Sequence, residues 1–285
     1  MIDRAVLTWI SKSEEWSASN WPHPDIHKWS WKASLELLKK QFSEVVLYTD
    51  SYGSKLFEDF NFSDILVSFD SNYPKELWGI AKLETQALQV KPFVHVDGDF
   101  YLFNFPDEAR KSKVVVQSKE YRIGKAYDNS YKFLRKHNLC EPFMSNVVYN
   151  AGFIGGNDVS KLHEYSAYGC KNAKEALKLL DKKEKAAIAH LNFYFEQCEI
   201  VRFSSVSSTY FLGTPHQFLG SNDYSHFIRP LRSREALVFH LNYLKEVERK
   251  SGIYIEDVCS DEAIEKMRKE IRISLKLKSS KSLDP

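Results

Sequence analysis

The apolar positions of the first hundred residues switch between two periods. Arg4 to Ile10 (RAVLTWI) is a short apolar run of strand type. The Trp-, Pro- and His-rich stretch SASNWPHPDIHKWSW then reads as a loop, holding Trp21, Trp29 and Trp31. Lys32 to Phe42 repeats its apolar residues at helical spacing, and EVVLYTD (Glu44 to Asp50) is a buried strand. Gly53 to Phe60 predicts a short helix and DILVSF (Asp64 to Phe69) a third strand. Pro74 suits the first position of a helix over KELWGIAKLETQAL, and KPFVHVDGDFYLF follows as a fourth strand. Strand and helix in alternation predict parallel βαβ units, whose ligands bind beyond the carboxyl ends of the strands.

The second half is less regular. Lys113 to Ser118 reads as a strand, Ala126 to Leu139 as an amphipathic helix, and VVYNAGFIGGND follows. Helices are expected over Val159 to Leu180 and Glu184 to Cys198, then a strand, EIVRF. ALVFHLNYLKEVERK reads as an apolar strand running into a charged helix, and KLKSSKSLDP as a polar, disordered tail. With no internal repeat and no linker, one α/β domain is expected over residues 1–250, and a helix with its tail over 251–285.

Composition narrows the classes. The chain has 285 residues, 43% hydrophobic and 14% aromatic, enough for a substantial core. A formal charge of +2 provides no basic field for nucleic acid. Cys140, Cys170, Cys198 and Cys259 are scattered without C-x-x-C spacing, which implies reduced thiols in a cytoplasm. No apolar stretch is long enough to span a membrane and the start does not read as a signal peptide.

One stretch carries chemistry. VHVDGDFYL holds the only Asp-x-Asp of the chain, at the end of an apolar run. Asp and Gly are common turn residues. If the backbone stays extended, however, Asp97 and Asp99 share one face and address one ion. Carboxylates flanked by Phe100 to Phe103 are costly without a cation, and oxygen ligands suit Mg²⁺ or Mn²⁺.

The order LYTD, LWGIAKL, PFVHVDGDFYLF, NAGFIGG over residues 4–245 resembles the GT-A glycosyltransferases, in a bacterial branch with the DxD motif. The resemblance implies a Rossmann-like, mixed but mostly parallel sheet flanked by helices in a single domain. It also implies a divalent ion held by Asp97 and Asp99 on a nucleotide-sugar donor, with UDP first among the nucleotides. Thr8, Trp9 and Asp50 then correspond to the base and ribose dock, and Lys82 to a basic residue facing the donor. Asn150 and Gly152 of YNAGFIGG correspond to the sugar site, Glu196 with Gln197 to the acidic motif beside the reaction centre, and His240 to a late metal ligand. Lys82 or Lys245 would stabilise the leaving diphosphate. Glu196 would deprotonate a saccharide or other hydroxyl acceptor if the anomeric centre inverts; a retaining route needs no such base.

Each of these residues also has an ordinary structural use. Glu196 can be a solvated helix-end carboxylate, His240 a core histidine, Lys82 a surface charge and Asn150 a turn cap. Gly152, Gly155 and Gly156 can serve a bulge or turn. A phosphatase of the haloacid-dehalogenase type would carry its Asp-x-Asp on the first strand, which does not match. A non-catalytic nucleotide-sugar- or carbohydrate-binding protein on the same fold is the rival function.

Overall fold

Strands with little polar alternation are strands covered on both faces. In a computed structural model of the chain, residues 1–11, 24–121, 125–142, 145–180, 188–204, 206–213, 224–226, 234–253, 265–267 and 269 are described. Trp21, the expected loop before residue 24 and the tail from 276 lie outside them.

The strands are β1 (Arg4–Thr8), β2 (Glu44–Thr49), β3 (Asp64–Val67), β4 (Phe93–Val96), β5 (Phe100–Leu102), β6 (Val114–Tyr121), β7 (Val147–Gly156), β8 (Thr209–Gly213) and β9 (Tyr224–His226). Seven of them form one sheet in the order β3-β2-β1-β4-β7-β6-β8, and β5 pairs with β9 apart from it. β7 runs antiparallel to both its neighbours, and every other pairing in the large sheet is parallel. This is the mixed, mostly parallel Rossmann-like sheet that the resemblance implies.

Helices cover both faces: α1 (Pro24–Gln41), α2 (Ser51–Leu56), α3 (Trp78–Ala87), α4 (Asp107–Lys111), α5 (Lys125–Lys136), α6 (Val159–Leu179), α7 (Ile188–Phe193), α8 (Glu199–Phe203) and α9 (Arg234–Ser251). Alternation along the strands feeds two cores. Val6, Val46 and Val116 pack with Ile80 and Leu83 of α3 and Tyr165 of α6. Leu7, Leu47 and Val115 pack on the other face with Leu35 and Leu38 of α1. A third, smaller core joins Ala33 and Leu37 of α1 to Leu241, Leu244 and Val247 of α9.

Four expectations are corrected. The Trp-rich stretch becomes helical from Pro24, so Trp29 and Trp31 stand on α1, and Trp31 is buried. Its apolar rings supply the helix with a core-facing side, which outweighs the loop-like composition. The expected fourth strand is two strands, β4 and β5, in different sheets, with residues 97–99 between them. EIVRF is α8, continuing the preceding helix, and ALVF belongs to α9 from its start. Short apolar runs do not distinguish a strand from a buried helical turn.

The paired glycines of NAGFIGG serve the sheet. A Cβ on Gly155 would lie 2.1 Å from the Phe93 carbonyl oxygen, and one on Gly156 (φ +152°) 2.0 Å from that of Lys113. Both obstacles are backbone of neighbouring strands and cannot swing away. Gly155→Ala should therefore cost on the order of 1–3 kcal/mol or more. At about 2–4 °C per kcal/mol for a chain of this size, thermal unfolding of the variant checks it, and an unchanged Tm would contradict the packing.

Candidate active site

The chain leaves β1 for β2 and β3 on one side, then returns to lay β4 on the other side of β1. Such a reversal opens a crevice beyond the carboxyl ends of the two central strands. Thr8 ends β1, and Asp97 directly follows β4 at this crevice.

Asp97 is the first residue of a tight turn, not part of an extended strand. Phe100 N donates to the Asp97 carbonyl (3.0 Å), and Asp97 N donates to the Gly152 carbonyl (2.9 Å). The expectation that alternation puts Asp97 and Asp99 on one face is thus corrected, because the backbone reverses between them. Helix α1 clamps the turn. Ser30 Oγ donates to the Gly98 carbonyl (3.2 Å) and Ser34 Oγ to that of Phe100 (2.8 Å). The Trp31 ring lies against Gly98, where a Cβ would come within 2.1 Å of it.

Lys82 is the centre of the charges. From α3 its Nζ reaches Asp97 Oδ1 at 2.7 Å and Oδ2 at 2.9 Å, and Glu196 Oε1 at 3.0 Å. One turn earlier, the Trp78 ring lies 5.4 Å from the same nitrogen, a cation–π distance. Burial disfavours the ammonium, but Asp97 and then Glu196 outweigh it, so the pKa rises above the ordinary 10.5 and Lys82 stays charged. Glu196 is 2% exposed and sits in a π-helical segment, Tyr194–Cys198, between α7 and α8. Such wide turns are rare and frequent at functional sites. Tyr165 OH holds the turn by donating to the Glu196 carbonyl at 2.7 Å.

The remaining expected residues divide. Asn150 and Gly152 join the Asp97 side: Gly152 N donates to Asn150 Oδ1 (3.0 Å), and Asn150 Nδ2 donates to Glu120 (2.7 Å). Gly155 and Gly156 lie at the other end of β7, paired with the start of β4. Thr8 Oγ1 donates to Thr85 (2.7 Å) and meets His95 Nε2 at 2.9 Å. Trp9 is 3% exposed and packs against Tyr52 and Phe57, while Tyr52 itself is 61% exposed. Asp50 is fully buried and caps α2: Oδ1 accepts from Tyr52 N and Gly53 N, and Oδ2 accepts from Ser11 N and Oγ. Lys245 is exposed on α9, a helix packed against α1. His240 lies on the same helix, and its side chain is outside the described residues.

Three neighbours were not singled out from the sequence. Glu120, near the end of β6, was legible as a carboxylate at the same end of the sheet as Asp97, had that strand been extended beyond Ser118. Tyr127 on α5 donates to Gln197 Oε1 at 2.7 Å, a contact with no local signature. His95 is buried between Thr8 and the charged group, and burial first, then the Lys82 charge, pushes its pKa down to about 3 despite Asp97.

Residues 6–261 match the family described as "Family of unknown function (DUF6734)", and the chain belongs to that family. No curated protein matches it. Among solved structures, the chain is similar to "4-diphosphocytidyl-2C-methyl-D-erythritolsynthase" from Anaerococcus prevotii DSM 20548. The identity is 10% and the TM-score 0.40, over 86% of this chain and 98% of that one. No helix among the described residues is long and apolar enough to cross a membrane.

His95 makes stability depend on pH. Its folded pKa lies below the ordinary 6.5, so below pH 6.5 the unfolded chain takes up a proton that the folded chain does not. The resulting loss grows as the pH falls and levels off near 3. One such proton contributes a slope of about 1.4 kcal/mol per pH unit. Denaturant titrations of the wild type and His95→Gln from pH 7 to pH 4 should differ by about that slope, and parallel curves would contradict it.

Proposed function

We propose that this member of DUF6734 is a metal-dependent glycosyltransferase, moving a sugar from a nucleoside-diphosphate donor, UDP first among the candidates, to a hydroxyl of a saccharide or other acceptor. The observation that carries the reading is the Lys82 ammonium between Asp97 and Glu196, beyond the carboxyl end of β4 at the reversal of strand order. A phosphate-bearing ligand is the natural occupant of a crevice that pairs a lysine ammonium with metal-type carboxylates.

The residues fit a divalent ion of the kind completed by its substrate. Among the described residues no three His, Cys, Asp or Glu side chains are grouped so as to hold a metal ion by themselves. Asp97 and Asp99 offer hard carboxylate oxygens on one clamped turn. Magnesium-type sites at phosphates commonly use one or two such carboxylates and take the rest from phosphate and water. When bound, such an ion neutralises charge on the leaving diphosphate.

The chain's own groups divide the other work. The bond from the anomeric carbon to the diphosphate breaks, the acceptor oxygen bonds to that carbon, and its proton passes to a base. Lys82 stabilises the negative charge that develops on the diphosphate. Glu196 holds the Lys82 ammonium and is the carboxylate that would take the acceptor proton on an inverting route. Asn150 and Gly152 line the sugar side of Asp97, and the exposed face of Tyr52 over Trp9 offers a surface on which a base can stack.

Thermal unfolding with UDP, GDP, CMP and their sugars, with and without Mn²⁺, tests this. One nucleotide should stabilise the chain in a Mn²⁺-dependent way, by about 2.7 kcal/mol at a hundredfold excess over its Kd. Asp99→Ala should abolish the metal-dependent part. No shift with any of them, or a shift indifferent to Asp99→Ala, overturns the reading.

A further inference from the structure

Lys82 Nζ donates to Asp97 Oδ2 and Glu196 Oε1 and lies 2.7 Å from Asp97 Oδ1. Its side chain is 15% exposed and that of Glu196 is 3% exposed. This is a closed arrangement. A magnesium-type ion on Asp97 would lie about 2.0–2.1 Å from an oxygen that Lys82 already contacts. The ion and the ammonium would then be near neighbours of like charge in a poorly solvated place, where repulsion is strong. The two compete for the same Asp97 oxygens.

The two partners of Lys82 are held differently from Lys82 itself. Glu196 is fixed by the π-helical segment and the Tyr165 hydroxyl beneath it. Asp97 is fixed by the turn and the Gly152 carbonyl. Lys82 is a point charge on a flexible four-carbon stem, and the Trp78 ring offers it an aromatic face. The lysine is therefore the member that can move, and phosphate oxygens are a good destination for an ammonium.

We infer that Lys82 is a displaceable counter-ion that keeps a divalent cation off Asp97 until an anionic donor arrives. Resting on the glycosyltransferase reading, this deepens it: a nucleoside diphosphate draws Lys82 from Asp97 and frees the carboxylate, so donor and metal bind as a coupled pair. The coupling is reciprocal, each ligand raising the affinity of the other by the same factor.

The test is Mn²⁺ binding to the full chain, followed by electron paramagnetic resonance of the free ion. It is run alone and with whichever of UDP, GDP and CDP stabilises the protein most. Wild type binds Mn²⁺ weakly alone and more tightly with the nucleotide. Lys82→Met binds Mn²⁺ alone about tenfold or more tighter than wild type, and its nucleotide–metal coupling shrinks by a similar factor. Lys82→Gln carries the same comparison should Lys82→Met fail to fold. Nucleotide binding retained, with Mn²⁺ alone as weak in the variants as in wild type, overturns the role of Lys82 and leaves the proposed function standing. Failure of wild type and variants to bind either Mn²⁺ or any of the nucleotides overturns both.

Discussion

A charge removed from water has to be answered by an opposite charge, and in this chain that demand falls on Lys82. Its nitrogen joins α3 to the turn after β4, 15 residues on from Lys82, and to the π-helical segment, 114 residues on from Lys82. Removing one member of a buried pair of this kind costs about 3–5 kcal/mol, a large share of the roughly 5–15 kcal/mol that keeps a domain folded. The arrangement is thus structural as well as chemical. Helix α3 packs against the π-helical segment here, and the Trp78 ring, with Phe193 edge-on to it, closes the group from the side.

The turn that carries Asp97 and Asp99 depends on the opposite face. Helix α1 reaches it with Ser30, Trp31 and Ser34, and the indole takes the space that any side chain at position 98 would need. Trp31 is held in turn, its Nε1 donating to His27 at 2.9 Å. Asp-Gly-Asp, a run of common turn residues, is therefore held closely by the helix beside it. The aromatic residues that make the preceding stretch look like a loop are what constrain it.

The first half of the sheet, β1 to β4, was legible because short apolar strand-type runs alternate there with helical spacing, whereas β8 lay outside every run read as a strand. The position of Asp97 followed from the same alternation. Lys82, Asp97 and Glu196 were each visible as candidates, but nothing in the spacing said that one lysine bridges both carboxylates, since that contact is made by tertiary packing. Asp50 looked equally exposed to ligand from its place after β2, yet its oxygens are consumed by the Ser11 segment and the start of α2. Strand-end carboxylates and helix-capping carboxylates share one sequence signature. The π-helical turn at Glu196 left no signature at all.

That turn makes the count of residues as important as their identity. A π-helical segment holds one residue more than the α-helix it interrupts, and each residue of an α-helix turns the chain by about 100°. Were a single residue lost between Tyr194 and Cys198, the helix could run on regularly from α7 into α8 with every remaining side chain chemically unchanged. The carboxylate now facing Lys82 would swing out of phase with it. The charge balance of the crevice is written in the phase of a helix, where a comparison of residue types alone would not find it.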